Sequence, residues 1–170
     1  MAGSNAMASE SDRRHVFISH HHKDDESVTN LTSLLNKGGY DIRNSSIRAK
    51  PENQARLDKK QVSDKTIQRL LRMKMSWAST VVVLVGKDTH SRPWVNWEIE
   101  QANRMGKRIV GIFDHGGKQA DVPTALEKYG AALVGWNTGK IIAAIDGQNS
   151  FENPDGSTRA PINTATTSTC

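Results

Sequence analysis

Thr80-Val81-Val82-Val83-Leu84-Val85-Gly86 is the run that decides the fold. It is continuous rather than alternating, and mostly β-branched. A strand with no polar face has no side to leave in water, so it belongs in a sheet covered on both faces, the situation of parallel strands. Arg108-Ile109-Val110-Gly111-Ile112-Phe113 and Ala131-Ala132-Leu133-Val134-Gly135 repeat that character downstream. Upstream, His15-Val16-Phe17-Ile18-Ser19 reads as a first strand and Tyr40-Asp41-Ile42 as a short edge strand.

Helical spacing fills the intervals. Residues 24–37 carry Val28, Leu31, Leu34 and Leu35 on one side and stop at Gly38-Gly39. Residues 63–77 mix core and surface positions through Ile67, Leu70, Leu71, Met73, Lys74 and Trp77. Further helices are expected over residues 93–105 and 138–145. No helix is read between Phe113 and Ala131. Five strands alternating with helices predict an α/β fold, a flavodoxin-like doubly wound parallel five-stranded sheet. In such sheets the site lies outside the carboxyl ends of the strands, at the switch point beside the first strand. That rule places Ser19-His20-His21-His22, the loop after Ile42, and Gly86 to Glu98 on one rim.

Residues 43–60 show no period and carry Arg43, Arg48, Lys50, Arg56, Lys59 and Lys60 against Glu52 and Asp58. A loop of that length either contacts a ligand or partner or is simply solvated, and both readings stand. The charges come without stacking aromatics, so the loop does not read as a nucleic-acid surface. The whole chain has 170 residues and a net charge of +5, enough for one domain with tails. Residues 1–14 are read as a vector-type leader (Met-Ala-Gly-Ser-Asn-Ala, with Met7 as the native start) and an N-terminal tail. Residues 15–147 are the domain. Residues 148–170, rich in Ser, Thr, Asn, Pro and Gly, are expected to be a disordered tail. No apolar run approaches a membrane span, and no charged-then-apolar leader is present, so a cytoplasmic location is expected. The single cysteine, Cys170, fits a reducing compartment and excludes a cysteine zinc site.

Ser91-Arg92-Pro93-Trp94-Val95-Asn96-Trp97-Glu98-Ile99-Glu100 reads as a helix start. Ser91 is a capping residue type and Pro93 suits the first turn. Glu98 falls in the first two turns, near the positive end of the dipole. Glu100 is about 200° around the helix from it, so the two acids serve different sides. In isolation the stretch reads as a helix with Trp94 and Trp97 in the core and a solvated Glu98. Familiar sites of this fold are missing: there is no GxGxxG after the first strand, no GxxxxGK[ST], no GxSxG and no receiver-type acidic pair. His20-His21-His22 point in different directions at a strand end and lack a completing ligand set, so they do not read as a metal site.

Two motifs carry a resemblance. Phe17-Ile18-Ser19-His20, followed by Asp24, is similar to the first-strand motif F-I-S-[YH]-x-x-x-D of Toll/interleukin-1 receptor (TIR) domains. Ser91 to Ile99 resembles that family's S-x-W-C-x-x-E-[LI] box, with the Trp94-to-Glu98 spacing kept and Val95 where Cys is usual. The chain resembles the bacterial TIR-like branch that includes the signal-producing subunits of Thoeris anti-phage defence. The resemblance implies cleavage of NAD+ at its nicotinamide–ribose bond, with Glu98 catalytic and a linear or cyclic ADP-ribose-derived signal as product. NAD+ is then a substrate, and no resident cofactor is implied. Ser19, His20 and His21 are expected near the ribose or phosphates, Arg43 and Arg48 near the diphosphate, and Trp97 or Trp94 at the nicotinamide, with Trp94 favoured as core. Self-association through TIR-like surfaces and a downstream nucleotide-sensing effector are implied as partners. Two alternatives remain: a non-catalytic TIR interaction module, and a nucleoside deoxyribosyltransferase-like enzyme.

Overall fold

In the computed structural model, residues 15–20, 25–44, 64–87 and 89–160 are described. Strand β1 (His15–Ser19) leads to helix α1 (Asp25–Lys37) and strand β2 (Asp41–Asn44). Helix α2 (Asp64–Trp77) precedes β3 (Thr80–Val85), α3 (Pro93–Arg104) and β4 (Arg108–Phe113). Helix α4 (Thr124–Tyr129), β5 (Ala132–Val134) and α5 (Thr138–Ile145) complete the order. The strands form one sheet in the order β2-β1-β3-β4-β5, parallel at every pairing. This is the doubly wound arrangement expected of the apolar runs, with the reversal between β1 and β3.

Alternate residues of each strand feed opposite layers. Val81, Val83 and Val85 join Phe17, Ile109 and Leu133 under α2, α3 and α4. Val82 and Leu84 join Ile18, Val110, Ile112 and Val134 under α1 and α5. β3 is buried at every position, which is why it tolerates no polar residue inside the run. β2, at the edge, leaves Asp41 and Arg43 exposed.

Gly111, in the middle of β4, is needed for space rather than for its backbone freedom. A Cβ there would lie 2.7 Å from Leu126 Cδ2 and 2.7 Å from Leu133 Cδ1. The missing side chain is what lets α4 sit close to β4.

The carboxyl end of the domain differs from the sequence reading in two ways. First, α4 exists although no helix is expected there. Pro123 occupies its cap position with no side-chain cap of its own. The amide of Ala125 instead donates to Asn96 Oδ1 of α3 at 3.1 Å, so the orphan donor of the first turn is satisfied from another element. Second, residues 148–160 are not a loose tail. The Leu133 amide donates to the Ser150 carbonyl at 2.9 Å, and the Glu152 amide to the Leu133 carbonyl at 2.8 Å. Phe151 packs on the core. The buried Glu152 carboxylate accepts from the Gly135 amide at 2.9 Å and pairs with Lys140. Arg108 clamps the approach. It donates to the carbonyl of Ala144 at the end of α5, to the Gln148 carbonyl and to Asn149 Oδ1, each at 2.8 Å. Burial pulls its pKa below the usual arginine value, yet a guanidinium remains charged at neutral pH. Composition predicts disorder for this segment because its anchoring is polar and tertiary, resting on one phenylalanine and one glutamate. Residues 1–14 and 161–170 lie outside the described residues.

Replacing Gly111 by Ala is expected to overpack the α4–β4 contact and cost about 1–3 kcal/mol. Chemical denaturation gives the value; an unchanged midpoint would show that Leu126 and Leu133 rotate away freely.

Candidate active site

The turn that launches α3 is built from its own polar groups. Thr89, fully buried, accepts from the Gly86 amide at 2.8 Å and donates to the Gly86 carbonyl at 2.9 Å. Residues Thr89–Ser91 form a 3₁₀ turn, and Arg92, not Ser91, occupies the cap position of α3. No side chain caps the helix. The expectation that Ser91 is the cap is corrected here: the extra turn after β3 draws Ser91 into itself and shifts the entry point one residue on. Pro93 is the first helical residue, where its missing amide costs nothing. Asn96 Nδ2 donates back to the His90 carbonyl at 3.3 Å, while its oxygen caps α4 as described. Asn96 and Thr89 thus fix the pose of α3 from both sides. Nothing in a single sequence singles them out beyond their polarity in a short loop-helix junction.

α3 presents Val95, Ile99 and Ala102 to the sheet. Glu98, one turn on from Trp94, is buried with them at 0 % exposure. Its Oε1 accepts a hydrogen bond from Ser19 Oγ at 3.0 Å. Ser19 is the last residue of β1, is itself fully buried, and lies opposite Val83 in the sheet register. It points to the same face as Phe17, toward α3. Ser19 and Glu98 therefore meet at the carboxyl end of β1, beside the β1–β3 reversal. Burying a carboxylate is costly unless hydrogen bonds replace water, and Ser19 supplies one.

The other expected site residues are placed as follows. His20 is buried directly after Ser19. Arg43 lies with its guanidinium 4.3 Å over the ring of Trp77. Trp77 also stacks on His15 at 4.3 Å. Since α2 ends just before β3 begins, this column sits at the amino end of the sheet, away from Ser19. Trp97 meets Trp94 edge-on at 5.5 Å and lies under the Arg72 guanidinium at 5.3 Å. Both tryptophans are half-buried against the core. With Pro93, Asp64 and Gln68 they line a surface groove of about 290 Å³ between α2 and α3. Trp97 is thus directed to α2, on a different side of α3 from Glu98. The structure joins Ser19 to Glu98 and does not bring Arg43 or Trp97 to them. His21 and Arg48 lie outside the described residues.

A third rim group was not foreseen. Asp114, directly after β4, is 9 % exposed. Its Oδ1 accepts from Ser27 Oγ of α1 at 2.7 Å and from the His115 amide at 2.7 Å. The available signal was an acid following an apolar strand. Among the described residues no cluster of His, Cys, Asp and Glu suited to a metal ion occurs, and no helix is long and apolar enough to cross a membrane.

A doubly wound parallel sheet with a buried carboxylate delivered by the helix after β3 to the end of β1 defines the class as a TIR-like α/β domain. Residues 17–119 match the model of the family described as "Thoeris protein ThsB, TIR-like domain", and the chain belongs to that family. It is similar to ThsB1 of Bacillus cereus (strain MSX-D12), a protein named as a candidate cyclic ADP-D-ribose synthase, with 36 % identity over 55 residues. That match spans 32 % of this chain and 29 % of the relative, less than a third of its length. Among solved structures, it is similar to the Clostridium botulinum CMP N-glycosidase BcmB, with a TM-score of 0.48, 14 % identity, and coverage of 78 % of this chain and 98 % of that one. The TIR domains of the activated Roq1 resistosome give a TM-score of 0.41 at 18 % identity, covering 59 % of this chain and 57 % of that one.

Thr89→Val keeps the shape of residue 89 but leaves the buried Gly86 amide without its acceptor. A stability loss of about 1–3 kcal/mol is expected, measured by urea denaturation; a loss below about 0.5 kcal/mol would mean that another group takes over the amide.

Proposed function

We propose that this chain is a TIR-like enzyme that cleaves NAD+ at the nicotinamide–ribose bond and makes an ADP-ribose-derived signal in anti-phage defence. The observation that carries the reading is Glu98, buried and hydrogen-bonded to Ser19 at the end of β1, in a chain of the Thoeris ThsB TIR-like family. The name of the Bacillus cereus relative supports a cyclised product.

One carboxylate suffices for this chemistry. A glycosidase acting on an ordinary O-glycoside needs a second carboxyl group to protonate the leaving oxygen. Nicotinamide leaves NAD+ neutral, taking the bonding electrons to its ring nitrogen, so no acid is required. Positive charge then develops at the anomeric carbon and ring oxygen of the ribose. Glu98 stabilises that charge and accepts from a ribose hydroxyl. Water adds to the anomeric carbon and loses a proton to give ADP-ribose. Attack by a nucleophile elsewhere in the same molecule, with loss of a proton, gives a cyclic product instead.

The reading carries a structural requirement. Glu98 is closed to solvent, so substrate reaches it only when the rim opens, and basal turnover of the isolated protein is expected to be low. Activity on a trigger or on self-association fits that requirement. The signal then passes to a nucleotide-sensing effector.

Glu98→Gln is nearly isosteric and is expected to abolish nicotinamide release while the melting curve stays close to wild type. Glu100→Gln, at an exposed position of the same helix, is expected to be silent. Mass spectrometry of nucleotides from cells expressing each variant, with and without phage, reads both. Full activity in Glu98→Gln would overturn the mechanism.

A further inference from the structure

Ser19 is not available to substrate in the way its rim position suggests. A serine hydroxyl has one proton to donate, and in this structure it is given to Glu98 Oε1 at 3.0 Å. Both side chains are fully buried, so the bond forms out of competition with water and is stronger for it. Glutamate is long, with three side-chain torsions to fix. A hydrogen bond from a fixed donor is one way to hold those torsions, and the Ser19 hydroxyl supplies it at Oε1. The two residues are separated by 79 positions in the chain, yet β1 and α3 are each rigid where they meet. The β1 partner is fixed by its register to β3, Ser19 opposite Val83. The α3 partner is fixed by Thr89 and Asn96. The bond therefore joins two independently anchored elements and sets the carboxylate direction at the switch point.

We propose that Ser19 is a positioning residue that aims the Glu98 carboxylate, and not a group that contacts the NAD+ phosphates or ribose. The inference rests on the reading of Glu98 as the reactive carboxylate. A misaimed carboxylate lowers the rate of the chemical step, where the charge develops, and leaves ground-state binding largely intact. Loss of a substrate contact that binds ground state and transition state alike does the reverse.

The test uses the full chain with Ser19→Ala, Ser19→Cys and Ser19→Thr, assayed for nicotinamide release from NAD+. Cysteine keeps the size of serine with a weak donor, which guards against a packing defect in the alanine variant. Threonine keeps the hydroxyl and suits a strand. The expected result is a kcat lowered roughly 10²-fold in Ser19→Ala, an intermediate value in Ser19→Cys, restoration in Ser19→Thr, and an unchanged KM throughout. A raised KM with kcat preserved makes Ser19 a substrate contact and overturns the proposal, as does wild-type kinetics in all three. A second measurement needs no turnover. In thermal melts of Ser19→Ala, Glu98→Leu and the double variant, the combined loss is expected to be smaller than the sum of the single losses. Strict additivity overturns the pairing. Coupled melts alongside a wild type that never consumes NAD+ would place the failure in the proposed reaction and leave the pairing standing.

Discussion

Strands β1, β3, β4 and β5 carry buried residues on both faces, and this obliges the chain to lay helices on each side before any of its apolar surface is satisfied. The winding follows from that constraint: α1 and α5 cover one layer, α2, α3 and α4 the other. With parallel strands, every crossover returns over a face, and every strand delivers its carboxyl end to the same rim. The two layers separate beside β1, where the chain's first crossover and its later ones go opposite ways. A polar group placed there meets the first turns of a covering helix, as Ser19 meets Glu98 of α3. Ser19, His20 and Glu98 are buried polar residues at the place where the layers part.

The helix that carries Glu98 is held more by its ends than by its own capping. Thr89 satisfies Gly86, and Asn96 ties the entry turn to α4. These contacts are small, each on the order of 1 kcal/mol. They decide the position of a carboxylate far more than they decide the stability of the sheet. The tryptophans of the same helix serve a different side. Trp97 knits α3 to α2 through Arg72, on a different side of the helix from the carboxylate.

The fold was legible from continuity of apolar residues. The bounds of β1, β3, β4 and α5 follow from the sequence because each run is bracketed by polar or glycine residues and needs no distant partner to define it. What escaped was non-local. α4 depends on Asn96 from another helix for its first turn, so its own six residues carry too weak a signal. The segment 148–160 depends on Glu152 meeting Gly135 and Lys140, which no composition measure registers. Glu98 and Ser19 stood out through the rim rule for parallel strands and then through the two TIR motifs; the bond between them spans 79 positions and could not be read from either. Arg43 was placed near the rim because it follows β2, whereas the face of Trp77 offers its guanidinium a nearer partner.

The docked segment after α5 has a bearing on how copies of the domain are able to meet. A bare outer strand invites another chain to add to it, hydrogen bond for hydrogen bond. Phe151 and Glu152 already occupy that position along β5, bridging to Leu133 and folding back through Glu152 and Thr158. The sheet is therefore blunted at its β5 margin, while the opposite margin is the four-residue β2. Strand addition by a second copy at β5 therefore requires residues 150–152 to leave Leu133 first.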